Sequence, residues 1–135
     1  MKELTVEAKL ENLRQVKDFV NGELETLDCP AETRMQLQIV IDEVFGNIAR
    51  YAYPEEIGSA TVRFETEQTP RSVVLTFLDC GIPFDPLKAE APDTSLKARE
   101  RTIGGLGIFM VRKLTDEVRY EYKEGQNVLS VRKQV

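Results

Sequence analysis

The stretch Met35 to Tyr53, MQLQIVIDEVFGNIARYAY, sets the strongest limit on the fold, because its apolar residues share a face only when the chain is helical. On a helical wheel Leu37, Val40, Ile41, Val44, Phe45, Ile48 and Ala52 form one wide apolar arc, the face expected to lie against a sheet. Gln36, Glu43, Asn47 and Arg50 form a polar stripe along its edge. Glu43 and Asn47 stand one turn apart, so both side chains reach a common point beside the buried face. A carboxylate and an amide at such a point can hold a cation. A solvated helix flank gives the same pair, and the pair alone does not choose between the two.

The chain of 135 residues is expected to form one domain over its whole length, with a core that needs no disulfide or metal staple. A formal net charge of −5 and the lack of a strongly basic run argue against a general nucleic-acid footprint. No run approaches the ~20 apolar residues of a bilayer span, and Met1 to Leu10 alternates charged and apolar residues, unlike a signal peptide; the expectation is a cytosolic chain. Cys29 and Cys80 lack paired-ligand spacing and read as two reduced thiols. Histidine is absent, which excludes His-based triads, His metal sites and a phospho-accepting histidine and leaves carboxylates as the natural general bases.

Glu3 to Ala8 alternates apolar and polar residues as a short strand does, and Leu13, Val16, Val20, Leu24 and Leu27 give Glu11 to Leu27 a helical period despite Gly22. Pro30 then suits the first turn of the central helix, which is expected to stop near Pro54. Ala60 to Thr66 and Ser72 to Leu78 read as a hairpin through Gln68 to Arg71, with the second, more apolar strand the more central. Val118 to Lys123 and Val128 to Val131 read as another, turning through Glu124-Gly125-Gln126-Asn127. Strands with one polar face and helices with one apolar face predict an α+β fold. It is a two-layer sandwich, a mixed, mostly antiparallel sheet covered on one side by about three helices.

The segment from Cys80 to about Gly104 has few regular apolar periods, three prolines and many charges, and a loop of that length suggests an active-site lid. A plain surface loop is the alternative. Asp79-Cys80-Gly81, at the end of the most apolar strand, places a carboxylate able to accept from an exocyclic amine beside a glycine that permits close approach. Gly104-Gly105-Leu106-Gly107 leads into the apolar-periodic Ile108, Val111 and Leu114, and glycine-rich backbone at a helix start offers amides to phosphate oxygens. Lys97, Arg99 and Arg101 stand just before it and can neutralise phosphate, although a charge run is also an ordinary solvated face.

The order of Glu43 and Asn47 on a helix, Asp79-Cys80-Gly81-Ile82-Pro83-Phe84-Asp85-Pro86 after a strand, and Gly104-Gly105-Leu106-Gly107 before a helix resembles the ATP-binding fold of gyrase, heat-shock chaperone, mismatch-repair and histidine-kinase ATPase domains. Within it, the short length, the Asp-x-Gly-x-Pro-Phe-Asp-Pro run and Gly-Gly-Leu-Gly-Ile look most like bacterial anti-sigma factor serine/threonine kinases. The resemblance implies ATP and Mg2+ as cofactors, a long ATP lid at about 80–104, Asn47 as magnesium ligand and Glu43 as the base. It also implies that Asp79 accepts from the adenine amine, that Gly81 shapes the purine pocket, and that Gly104, Gly105, Leu106 and Gly107 bring backbone amides to the phosphates. Tyr51 stands where that family often has a histidine. A sigma factor, an antagonist protein phosphorylated on Ser or Thr and a homodimer are the implied partners. The rival readings are a nucleotide switch without kinase activity, a detached histidine-kinase catalytic domain and a non-nucleotide interaction module.

Overall fold

The computed structural model describes residues 1–88 and 103–135, and the segment holding Lys97, Arg99, Arg101 and most of the expected lid lies outside the described residues. Eight elements follow one another: β1 (Lys2–Glu7), α1 (Leu13–Glu25), α2 (Ala31–Asn47), β2 (Ser59–Glu67), β3 (Ser72–Asp79), α3 (Ile103–Leu114), β4 (Glu117–Lys123) and β5 (Gln126–Gln134). The five strands form one sheet in the order β1-β2-β3-β5-β4, with β3 at its centre as its apolar composition predicts. Every pairing among the described residues is antiparallel.

One face of this sheet meets the helices. Val62, Val73, Leu75, Phe77, Leu129 and Val131 from the strands pack with Val16, Val20 and Leu24 of α1, Leu37, Val40, Ile41 and Phe45 of α2, and Ile108 and Val111 of α3. Apart from Leu129 and Val131, whose strand was read without a face, these are the residues whose spacing puts them on an apolar face, so the period-2 and period-3.6 patterns find the same core from both layers. The opposite face is polar, with a Thr5–Thr61 hydroxyl pair at 2.8 Å and ion pairs such as Glu3–Arg63 at 3.0 Å. Between α1 and α2 a Lys17–Asp42 ion pair at 2.5 Å and a hydrogen bond from Gln38 to Asn21 at 3.1 Å fix the lateral packing.

Three local features differ from the sequence expectation. Pro30 lies just outside α2 rather than in its first turn, and its carbonyl accepts from the Arg34 amide. The last hairpin turns on two residues, Glu124 (φ 54°) and Gly125 (φ 79°), so Gln126 and Asn127 belong to β5. The glycine run lies inside α3, which opens at Ile103, rather than ahead of the helix. Glycine within a helix costs roughly 1 kcal/mol relative to alanine, and at Gly107 close packing explains it. Beyond Asn47 the central helix widens into a π turn, Ile48–Ala52, of the kind often found beside functional sites.

Candidate functional site

Glu43 and Asn47 are half-buried on the edge of α2 that faces α3. Gly107 is pressed against both: a Cβ placed on it would lie 2.6 Å from Glu43 Oε2 and 3.6 Å from Asn47 Nδ2. The polar stripe of the central helix and the glycine run, 64 residues apart from Glu43 to Gly107, therefore form one corner. Asn47 Oδ1 is buried and takes no hydrogen bond among the described residues. A buried carbonyl oxygen without a donor costs on the order of 1–3 kcal/mol unless a ligand completes it. A hard cation coordinated by oxygen is such a ligand, so Asn47 fits a magnesium site. By position, Ile103, Gly104 and Gly105 stand in the first turn of α3 as described, which puts the positive end of the helix dipole about one turn from Gly107 and this corner.

The second corner forms where β3 ends. Asp79 is its last residue and only 6% exposed. Its Oδ1 accepts from the Gly81 amide at 2.9 Å and from Asn127 Nδ2 at 3.0 Å, while no hydrogen bond ends on Oδ2 among the described residues. Burial pushes the Asp79 carboxyl above its ordinary range, and the bonds from Asn127 and Gly81 pull it partly back. Gly81 has no room for a side chain: an added Cβ would lie 2.6 Å from Ala52 Cβ and nearer still to the Ala52 carbonyl oxygen. That same carbonyl accepts from the Ile82 amide at 3.0 Å. The π turn after Asn47 thus carries the helix to the loop, and the two corners share one wall.

Two residues that the sequence motifs do not single out hold this corner together. The Tyr53 hydroxyl accepts from the Cys80 amide at 2.7 Å and donates to the Ser59 carbonyl at 2.6 Å; burial raises its pKa. Asn127, 7% exposed and opposite Asp79 in the β3–β5 register, donates to Asp79 and to the Ile82 carbonyl at 2.9 Å. Its Oδ1 accepts from the Phe84 amide at 3.1 Å and from the Tyr120 hydroxyl. A signal for Asn127 existed, since it falls in phase with the inward-facing Leu129 and Val131. Further along, Arg112 of α3 donates to the Leu87 carbonyl at 2.9 Å and ties the end of the 80–88 segment to the helix.

The structure thus brings Glu43, Asn47 and Gly107 together, gathers Asp79 and Gly81 a short way along the same helix, and sets Gly104, Gly105 and Leu106 in the first turns of α3. Tyr51 is largely exposed beyond the π turn's inner face. The sequence pattern of the histidine kinase-like ATPase domain matches residues 6–133. The chain belongs to that family. The family is described as an ATPase domain, which implies nucleotide binding. This ATPase-family chain is also similar to the Serine-protein kinase RsbW of Bacillus mycoides (strain KBAB4), 22% identical over 129 residues covering 94% of this chain and 81% of the relative. The Serine-protein kinase RsbW of Bacillus cereus (strain ATCC 10987 / NRS 248) is 24% identical over 131 residues with the same coverage. The Serine/threonine-protein kinase BtrW of Bordetella bronchiseptica is 28% identical over 101 residues, covering 75% of this chain and 70% of the relative. No helix among the described residues is long and apolar enough to cross a membrane.

Proposed function

We propose that this chain is an ATP-dependent protein serine/threonine kinase of the anti-sigma type, acting over its whole length as one cytosolic domain. It binds a sigma factor and phosphorylates an antagonist protein, and it works as a homodimer. The observation that carries the catalytic part is the buried, unpartnered Asn47 Oδ1 one turn from a carboxylate and against a helix N-terminus. The relatives named as serine and serine/threonine kinases support the choice of substrate class.

In this reading Asp79 Oδ2 accepts a hydrogen bond from the adenine amine, and Gly81 lets the purine approach the loop backbone. The amides of Gly104, Gly105 and Leu106 donate to phosphate oxygens, and bare Gly107 keeps the space between α3 and Glu43 open. Asn47 Oδ1 holds magnesium, which when bound neutralises phosphate charge. Glu43 accepts the proton of a protein hydroxyl as its oxygen bonds to the γ-phosphorus and the bond to the departing ADP breaks.

The test is to purify the chain with its bound cellular proteins, add γ-labelled ATP and locate the label. Label on a serine or threonine of a co-purified protein is expected. Tight ATP binding with no label on any protein would replace this reading with a nucleotide-controlled binding switch.

A further inference from the structure

Asn127 has no part in the reading above, yet it is the most fully bonded polar side chain near Asp79. An amide has two donor hydrogens and one acceptor oxygen, and here the surroundings determine which end is which. Asp79 Oδ1 and the Ile82 carbonyl accept only, so they face Nδ2; the Phe84 amide donates only, so it faces Oδ1, where the Tyr120 hydroxyl also donates. A third, longer approach runs from Nδ2 to the Gly81 carbonyl at 3.5 Å. One side chain from β5 thereby touches β3, β4 and three positions, 81, 82 and 84, of the loop that follows Asp79, and it does so from a buried place.

We infer that Asn127 is a positioning residue for base selection. By occupying Asp79 Oδ1 together with the Gly81 amide, it leaves Oδ2 as the one oxygen turned to the base, and it fixes the path of Gly81 to Phe84 in the same act. This rests on Asp79 being the base-recognising group. A carboxylate that offers an acceptor favours a ring bearing an exocyclic amine and disfavours one bearing a carbonyl at the same place, so Asn127 sharpens the choice of adenine over guanine. Burial works against the charged form of Asp79, and the Asn127 bond is the larger of the two hydrogen bonds that oppose it. The ionisable groups around the amide are Asp79 on β3, Tyr120 on β4, Asp85 in the loop and Tyr53 behind Cys80.

The decisive variant is Asn127→Asp, which keeps the shape and exchanges the donor for an acceptor. Calorimetric titration with Mg-ATP at about pH 8 is expected to show affinity at least ~100-fold below the parent protein, with two carboxylates facing each other. At about pH 6 the pair shares a proton, a donor returns between the two side chains, and the deficit relative to the parent at the same pH shrinks at least ~10-fold. A deficit that does not change with pH, or no deficit, overturns the inference, because a purely structural amide predicts one of those. If Asn127→Asp does not fold, Asn127→Ala serves: Mg-ATP affinity is expected to fall ~10-fold with Mg-GTP affinity unchanged, whereas equal loss for both overturns the inference. Asp79→Asn separates the two levels. If it binds Mg-ATP as the parent does, the base-recognition reading falls and takes this inference with it. If it loses affinity while the Asn127 variants do not, only the role of Asn127 is wrong.

Discussion

Around Asp79 the polar groups other than its Oδ2 have partners before any ligand arrives: its Oδ1 has two donors, the Asn127 amide is bonded at both ends, and the Tyr53 hydroxyl is held on both sides. Around Asn47 the reverse holds, with a buried oxygen that has no donor among the described residues and a glutamate whose neighbour is a bare glycine. The two corners share one helix and differ in how complete they are. A corner that must recognise the same planar base each time gains from being rigid, because less ordering remains to be done on binding. On the proposed function, phosphate, metal and a second protein would meet at the other corner, and its open groups would be stabilised only when those arrive.

The contrast can be broken at each end. The largest effect belongs to Glu43→Ala, for which phosphate transfer to a partner hydroxyl should fall by about 10²–10⁴-fold while Mg-ATP affinity stays close to that of the parent. Parallel single-turnover and calorimetric measurements check this, and an unchanged transfer rate would remove Glu43 from the role of base. Asp79→Asn should weaken Mg-ATP by on the order of 1.5–3 kcal/mol, because an amide nitrogen then faces the base where an acceptor oxygen stood. The same change should stabilise the ligand-free protein at neutral pH. Burial raises the Asp79 pKa, so its favourable folded form is the protonated one, present at low pH and lost as pH rises through the folded pKa. An amide carries no such loss, and melting of the variant should come a few degrees higher, for about 1 kcal/mol. By the same sign, Mg-ATP affinity of the parent should decline as pH falls and Asp79 takes up a proton.

Gly81→Ala and Gly107→Ala compare the corners directly. At Gly81 the new methyl meets the Ala52 backbone, which cannot swing aside, and denaturant titration should show a loss of about 1–3 kcal/mol with weaker nucleotide binding. At Gly107 it meets the far end of the flexible Glu43 side chain. There the fold should change by no more than about 1 kcal/mol, helped by the better helix propensity of alanine, while transfer slows because Glu43 is displaced. Equal destabilisation at both glycines would show that the two corners are equally rigid.

Much of this arrangement was legible in the sequence. The sheet, its central strand and the inward faces of all three helices follow from spacing, since burial of Leu37, Val40, Ile41, Phe45, Leu75 and Phe77 is what the spacing encodes. Glu43 and Asn47 could be named, but their meeting with Gly107 could not, because contact between α2 and α3 depends on packing across the whole core. Asn127 was hidden for a different reason. Asparagine two residues after a glycine reads as ordinary turn chemistry, and only the two-residue turn at Glu124 and Gly125 moves it into β5 opposite Asp79. Gly107 misled in the same way, since a local preference for loops was overridden by the need for a close approach to Glu43.

The tyrosines have a practical consequence. The chain has four and no tryptophan, and Tyr53 and Tyr120 each hydrogen-bond within the Asp79 corner. Half of the tyrosines that supply the unlabelled protein's ultraviolet emission therefore lie beside the groups that would grip the base. Occupancy of that corner should be readable as a change in native fluorescence, with no dye, tag or engineered probe attached.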